Sequence, residues 1–178
     1  MIFGWKKKKT LPYDPTNLVL SDLQVGFVLD FDLYTWEVVR AYEYDWGNEC
    51  FSKEFQLKSS DDTVYLNIDE DDELVYSISR KIKFHSLYDD LADHINSNEK
   101  PPNKLAYDGK TFSRDSEDPG YFRDVRNKNW EEFISWEYKD ESNEYVLTIE
   151  QWGDDEFEAR YGRIVRESEF SNILPGEG

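Results

Sequence analysis

The stretch Leu29–Trp36 (LDFDLYTW) returns in the second half of the chain as Leu105–Phe112 (LAYDGKTF), and this recurrence decides how the fold is interpreted. Three positions are identical, and two others keep an aromatic ring. Two further blocks follow in the same order: residues 57–69 match 138–150, and Leu87–Leu91 matches Phe170–Leu174. The spacing between blocks drifts only slightly, as expected if hairpin loops differ in length, because longer loops change stability little. The sequence therefore predicts an internal duplication.

Between these blocks, apolar and polar residues alternate with period two, which is typical of half-buried β-strands. The alternation predicts that Leu66, Ile68, Leu147 and Ile149 face the core. Strands are predicted at residues 24–31, 35–44, 50–58, 63–69, 74–78, 81–84, 104–107, 110–114, 130–139, 143–152 and 156–165, with a polar loop at 115–120.

One helix is predicted in this β-rich chain. Ser86 is a suitable N-cap, apolar residues then fall on one face, and the pattern ends at Asn98. Residues 169–175 resemble the start of this helix at the equivalent place in the second half, but Pro175 would end a helix there. We therefore expect one short helix between the two halves and a truncated second copy.

These elements predict a mainly β protein of two related antiparallel β lobes, of meander or half-barrel type, with one short helix between them. Residues 1–17 are expected to form a flexible basic tail and lead-in, residues 18–100 the first lobe with the helix, and residues 101–176 the second lobe. The boundary rests on Pro101-Pro102, since proline can neither continue a helix nor donate to a sheet. The two lobes are expected to pack as one unit.

The net charge of −18 excludes conventional nucleic-acid binding, because that binding relies on clustered Lys and Arg. Membrane contact is at most peripheral, through an apolar tip at Met1–Trp5 and the basic run Lys6–Lys9. No apolar run approaches the roughly 18–20 residues of a membrane helix. Cys50 is the only cysteine, which fits a reducing compartment. We expect a cytoplasmic protein.

Aromatic residues are the better guide to binding. The chain has 6 Trp, 12 Tyr and 11 Phe, which can supply most of a core because each ring buries a large area. Trp46, Trp130 and Trp152 are predicted at turns or strand ends, where an exposed ring can anchor a partner protein. Alternatively, each of these three rings is buried in the hydrophobic core.

Carboxylates provide the candidates for a metal site. The cluster Asp69–Glu73 offers the oxygen ligands that hard cations prefer. It lacks the glycine and the closing glutamate of an EF-hand loop, so a solvated hairpin turn is expected in its place. We therefore predict no metal ion and no cofactor.

The candidates for acid–base chemistry are two histidines and three carboxylates beside aromatic rings, namely His85, His94, Glu37, Glu137 and Glu150. A carboxylate on a buried face would have a raised pKa and could act as an acid or base. Alternation instead places these carboxylates opposite the apolar face, where solvent is expected. No catalytic residue is therefore assigned.

A family resemblance rests on short motifs, which are Leu23–Gly26, Trp36–Val38, Tyr107–Phe112, Glu150–Gly153 and Ile173–Gly176. Over residues 18–176 the chain resembles the bacterial family DUF4178, a domain of unknown function. The resemblance implies a bacterial, cytosolic domain with some relatives encoded beside membrane-stress or channel-like proteins. It supplies no catalytic residues. Relatives with an N-terminal cysteine-rich zinc ribbon differ from this chain, which has one cysteine.

The expected function is a non-catalytic protein-binding or accessory module in the bacterial cytoplasm, linked to a membrane-associated stress system. One alternative is a carboxylate-based or metal-dependent enzyme that uses the cleft between the lobes. Another is an acidic mimic of nucleic acid. A pocket converging on Glu or Asp would favour the enzyme, an exposed Trp-rich patch the module, and carboxylates spaced like phosphates the mimic.

Overall fold

The computed structural model describes residues 10–176, which are mainly β-strand with one short α-helix. The elements, in chain order, are β1 (Val28–Phe31), β2 (Tyr34–Asp45), β3 (Phe51–Lys58), β4 (Thr63–Asp69), β5 (Val75–Ile82), α1 (Leu91–Asn98), β6 (Lys104–Tyr107), β7 (Lys110–Asp124), β8 (Glu131–Asp140), β9 (Tyr145–Gly153), β10 (Glu156–Val165) and β11 (Phe170–Leu174). The predicted apolar tip and basic run, residues 1–9, lie outside the described residues.

All eleven strands belong to one antiparallel sheet with the order β11-β1-β2-β3-β4-β5-β10-β9-β8-β7-β6. The two halves of the chain meet where β5 pairs with β10. They meet again where the end of β2 pairs with the end of β7, Tyr42–Asp45 against Tyr121–Asp124. This second pairing closes β2, β3, β4, β5, β10, β9, β8 and β7 into a ring of eight strands.

The outward face of the ring carries two separate hydrophobic cores. The first lies on β1–β5 and includes Trp36, Leu57 and Leu66, and β11 and the residues before β1 complete it. The second lies on β6–β10 and includes Trp136 and Ile149, and α1 covers it with Leu91 and Ile95. The four predicted core residues Leu66, Ile68, Leu147 and Ile149 are all fully buried.

The quoted stretches form two hairpins of the same geometry. Leu29 pairs with Trp36 in the first, and Leu105 pairs with Phe112 in the second. The two-residue turns have positive φ at both positions, Asp32-Leu33 and Asp108-Gly109. Such turns match the twist of the flanking strands, which explains the Asp-Gly pair.

The helix begins later than predicted. Residues 84–86 form a 3₁₀ turn, and α1 starts at Leu91 with Asp90 as its N-cap. Asp90 has a φ of 54°, so the backbone changes direction between the turn and the helix. This bend interrupts the continuous helix expected from Ser86, and both Leu87 and Leu91 contact the second core.

Two other local predictions are wrong. The expected loop at residues 115–120 is part of β7, which pairs with β8 along this stretch. Residues 170–174, expected to start a helix, form β11 on the edge strand β1. In both places a neighbouring strand offers main-chain partners, and this pairing outweighs the local composition.

The second matched block, residues 57–69 against 138–150, is displaced by two positions along its second strand. Leu57 pairs with Val64 in the first half, whereas Tyr138 pairs with Leu147 in the second. If Leu57 corresponds to Tyr138, as the sequence match has it, Leu147 corresponds to Val64 and not to Leu66. The two loops, residues 59–62 and 141–144, have the same length, and the displacement arises because β8 and β9 each extend one residue further towards their loop, to Asp140 and Tyr145.

No helix within the described residues is both long enough and apolar enough to span a membrane.

Candidate functional site

Ring closure turns the polar face of the sheet inward. The interior holds a cavity of about 430 Å³, which we call the front cavity. Six serine and threonine side chains contribute to its wall: Ser52, Ser77, Ser79, Ser116, Ser135 and Thr148. A second cavity of about 490 Å³, the rear cavity, is lined by aromatic rings that include Tyr65 and Trp152. Arg160 lines both cavities and therefore lies between them.

A buried ionic cluster surrounds Arg160. Its Nη1 donates to Glu54 Oε1 at 2.7 Å, and its Nη2 lies 3.9 Å from Glu150 Oε2. Glu54, Glu150 and Arg160 are only 4%, 5% and 7% exposed. The guanidinium also stacks on the Tyr65 ring, with Cζ 4.4 Å from the ring centroid. One cation thus faces two carboxylates away from water.

Burial perturbs the titration of this cluster. It raises the pKa of Glu150 to about 7, because Arg160 only partly compensates for lost hydration and Glu54 adds repulsion. Burial alone would lower the pKa of Arg160, but Glu54 and Glu150 outweigh it and raise that pKa. Burial also raises the pKa of Tyr44, whose ring lies beside the cluster. Near neutral pH, Glu150 therefore exists in both protonation states.

The mouth of the front cavity is acidic. Asp69, Asp71 and Asp118 line it and are exposed, and Cys50 lies among them. Burial, followed by the charges of Asp71 and Asp69, raises the pKa of the Cys50 thiol. Burial and the neighbouring carboxylates likewise raise the pKa of Asp69. The mouth therefore favours cations over anions.

The three carboxylates proposed for acid–base chemistry have different surroundings. Glu37 is exposed, Glu137 is half-buried in the cavity wall, and Glu150 is buried. The expectation that alternation leaves them facing solvent is wrong for Glu150, because ring closure encloses the face opposite Ile149. The two histidines lie elsewhere: His85 is exposed beside Phe84, and His94 packs edge-on against Tyr88.

The three tryptophans proposed to bind a partner lie in two places. Trp46 and Trp152 join one aromatic cluster at the β2–β7 pairing, where the Trp152 ring stacks on Phe133 at 4.6 Å. Trp46 lines the front cavity, and Trp152 lines the rear cavity. Trp130 is 38% exposed on the outer surface.

Trp130 belongs to an exposed patch on the outside of the same strand pairing. Phe51 and Tyr121 lie on either side of Asp45, and each is nearly half exposed. Arg123 donates to Glu43 at 2.7 Å and lies over the Trp130 ring, 4.7 Å from its centroid. We call Phe51, Tyr121, Arg123 and Trp130 the seam patch.

The predicted turn at Asp69–Glu73 joins β4 to β5, and its residues are exposed. Asp71 N–H donates to Asp69 Oδ1 at 3.2 Å, which orders the start of the turn. Among residues 10–176, no group of three or more His, Cys, Asp or Glu side chains is arranged to hold a metal ion.

Sequence reasoning missed Glu54 and Arg160. Each lies on the polar face of an ordinary alternating strand, β3 and β10, and they are 106 residues apart. The one signal in the sequence was that alternation places both Glu54 and Arg160 on the face of the sheet opposite the apolar core. Only the ring closure places them together.

Glu150→Gln is expected to remove a pH dependence from stability. The pKa of Glu150 is about 7 in the folded chain and about 4.5 as the ordinary value. Because the fold prefers the neutral form, the wild type loses stability as pH rises from about 4.5 to above 7. A shift of this size corresponds to about 3 kcal/mol. Urea unfolding at pH 5 and pH 8 should show most of this loss in the wild type and a much smaller loss in the variant, in which the pKa values of Asp69 and Glu137 are still raised.

The control is Glu141→Gln, which changes an exposed glutamate in the β8–β9 loop and should leave the wild-type pH dependence intact. Equal pH dependence in wild type and Glu150→Gln would contradict the raised pKa of Glu150.

Comparison with known proteins gives a family but no activity. A family model described as "Domain of unknown function (DUF4178)" matches residues 24–167. A protein of Aquifex aeolicus (strain VF5), named "Uncharacterized protein", is 29% identical over 156 residues, which cover 88% of this chain and 85% of that protein. No solved structure matches.

Proposed function

Because the chain belongs to the DUF4178 family, whose description assigns no activity, its function must be inferred from its own surface, and we propose a non-catalytic protein-binding module of the bacterial cytoplasm. The seam patch is the observation that carries this proposal. It combines a tryptophan, a tyrosine and an arginine, the residue types that most often dominate binding energy at protein interfaces.

The geometry of the patch supports the same role. Arg123 is held between Glu43 and the Trp130 ring, so its side chain loses little additional freedom when a partner covers it. Phe51 and Tyr121 add two exposed rings on adjacent strands of a rigid ring. A net charge of −18 favours a partner whose contact surface has a basic rim. In line with the family resemblance, that partner belongs to a membrane-associated stress system.

Photo-crosslinking in the native bacterium tests this proposal. A benzoylphenylalanine at Tyr121, inside the patch, should give an adduct with one other protein. The matched control is Tyr88, which is equally exposed but lies beside α1, and it should not give that adduct. Trp130→Ala should lower the yield at Tyr121 by about 10-fold, as expected for an interface anchor.

Three outcomes would contradict the module. They are no adduct at Tyr121, the same adducts at Tyr121 and Tyr88, and an adduct of twice the chain mass, which would indicate self-association.

We also propose that the two halves of the chain are related β lobes that arose by internal duplication. The β2–β3 pairing shifts register between Val38 and Arg40, and the β7–β8 pairing shifts between Arg114 and Ser116. Along the chain, these two register shifts are as far apart as Leu29 and Leu105, the first residues of the two quoted stretches. A β-bulge is a specific local feature, so two at matching positions support descent from one five-strand unit.

An acid–base enzyme is the second candidate, and Glu150 is the observation that favours it. A buried carboxyl with a pKa near 7 in a cavity is typical of catalytic groups, although structural ion clusters also shift pKa values. A screen of ester, amide and glycoside substrates would support the enzyme if Glu150→Gln abolished a turnover that Glu141→Gln retained.

A further inference from the structure

Three buried polar atoms at the inner end of the front cavity have no hydrogen-bond partner: Tyr44 Oη, Glu150 Oε2 and Arg160 Nε. Their residues are 2%, 5% and 7% exposed, and all three line the front cavity. Buried polar atoms in native proteins are nearly always paired with protein, water or ligand. The protein therefore leaves three hydrogen-bonding groups unused in the wall of the front cavity, each with less than 1 Å² of its surface exposed.

The fold does not require these charges. When the two halves of the chain are matched by their strand pairing, Glu54 corresponds to Ser135, Glu150 to Asn67, and Arg160 to Ser79. Those three uncharged residues line the same cavity. The same strand arrangement is thus built with small polar side chains on one side and with a buried ionic cluster on the other. The cluster is a specialised feature.

The free atoms define which groups a ligand must carry. Glu150 Oε2 accepts, so it needs a donor, whereas Arg160 Nε–H donates, so it needs an acceptor. The Tyr44 hydroxyl can do either. One ligand end that carries both a donor and an oxygen acceptor would satisfy all three.

Charge selects among such ligands. Five carboxylates line the cavity, those of Asp69, Asp71, Asp118, Glu137 and Glu150, against two cationic side chains. Lys139 already lies 2.6 Å from Asp115 and 3.6 Å from Glu137, and Arg160 is bound to Glu54. The excess negative charge disfavours anionic ligands and favours a cation, most strongly at the acidic mouth. A volume of about 430 Å³ is within the ordinary range for small-molecule sites.

We propose that the front cavity binds a small amino alcohol, with its ammonium group donating to Glu150 and a neighbouring hydroxyl oxygen accepting from Arg160 and Tyr44. The site goes beyond the protein-binding role, since the seam patch lies on the outer face of the ring and none of its residues lines this cavity. Ammonium-to-carboxylate hydrogen bonds are among the stronger ones in proteins, which makes Glu150 the main contact.

Calorimetry on the purified full chain with four six-carbon probes tests the proposal. Glucamine carries an ammonium and hydroxyls, sorbitol only hydroxyls, hexylamine only an ammonium, and gluconate a carboxylate with hydroxyls. Glucamine should bind at least about 10-fold more tightly than sorbitol or hexylamine, and gluconate should not bind. Because burial raises the pKa of Glu150 to about 7, glucamine binding at pH 7 should also release protons, which buffers of different ionisation enthalpy reveal.

Glu150→Gln should weaken glucamine binding by about 10-fold or more and abolish the proton release, while Glu141→Gln leaves both unchanged. If Glu150→Gln does not fold, Asp118→Asn at the exposed mouth serves in its place and should weaken glucamine binding by a smaller factor. Equal binding of glucamine and sorbitol, equal binding of glucamine and hexylamine, or no binding of glucamine would each overturn the proposal. Crosslinking at Tyr121 does not depend on these results, so the two proposals can fail separately.

Discussion

Arg160→Met is expected to destabilise the protein by about 3–5 kcal/mol at pH 8, because it leaves two buried carboxylates without their cation. Glu54 and Glu150 are only 4% and 5% exposed, so neither can turn to water. Methionine has a similar length and keeps the contact with the Tyr65 ring. The measurement is urea unfolding of the full chain, and the loss should be smaller at pH 5, where Glu150, whose pKa is raised by burial, is protonated.

Arg80→Met is the control for Arg160→Met. Arg80 donates to Asp62 at 2.6 Å, but both side chains are about half exposed, so the loss should be at most about 1 kcal/mol. The triple variant Arg160→Met, Glu54→Gln, Glu150→Gln should recover most of the stability, because no charge then remains buried. A loss for Arg160→Met no larger than for Arg80→Met would show that the cluster is hydrated in solution.

Ile149→Ala is expected to cost about 2–5 kcal/mol, the usual range for deleting a buried aliphatic side chain. Ile149 is fully buried on β9 and pairs with Trp136, the largest residue of the second core. Because α1 closes that core from outside, the cavity left by the smaller side chain has little room to collapse. Urea unfolding gives the value.

Leu33→Ala is the matched control for Ile149→Ala, since Leu33 is fully exposed at the tip of the β1–β2 turn. Its effect in either direction should not exceed about 0.5 kcal/mol, which is typical of surface substitutions. A similarly small effect for Ile149→Ala would contradict the buried position of Ile149 on β9.

Strand positions were predictable because period-two alternation reports directly on pleated backbone. The quoted stretches, Leu29–Trp36 and Leu105–Phe112, form hairpins as expected, and the buried residues Leu66 and Ile149 lie on the apolar face. The helix start was not predictable, because Ser86 is a good N-cap residue and aspartate gives no clear signal of the positive φ that the backbone adopts at Asp90. The strand at residues 170–174 depends on the free edge of β1, which is distant in sequence.

The interior site was hidden for a different reason. Alternation shows which face of a strand is apolar, but it does not show whether the opposite face meets water. In Trp136-Glu137 and Ile149-Glu150 the apolar residue faces the second core, and the carboxylate faces the inside of the ring. Recognising this requires the pairing of Tyr42–Asp45 with Tyr121–Asp124, which no local pattern encodes.

That same pairing constrains the order of events during folding. The strands that close the ring are far apart along the chain, because β2 pairs with β7 and β5 pairs with β10. Non-local pairing slows folding, because the entropy of a long loop is lost before the contact forms. On the ribosome, the first five strands therefore emerge with the end of β2 as an open edge and with the carboxylate of Glu54 still hydrated. The ionic cluster can assemble only when the last long strand, β10, delivers Arg160.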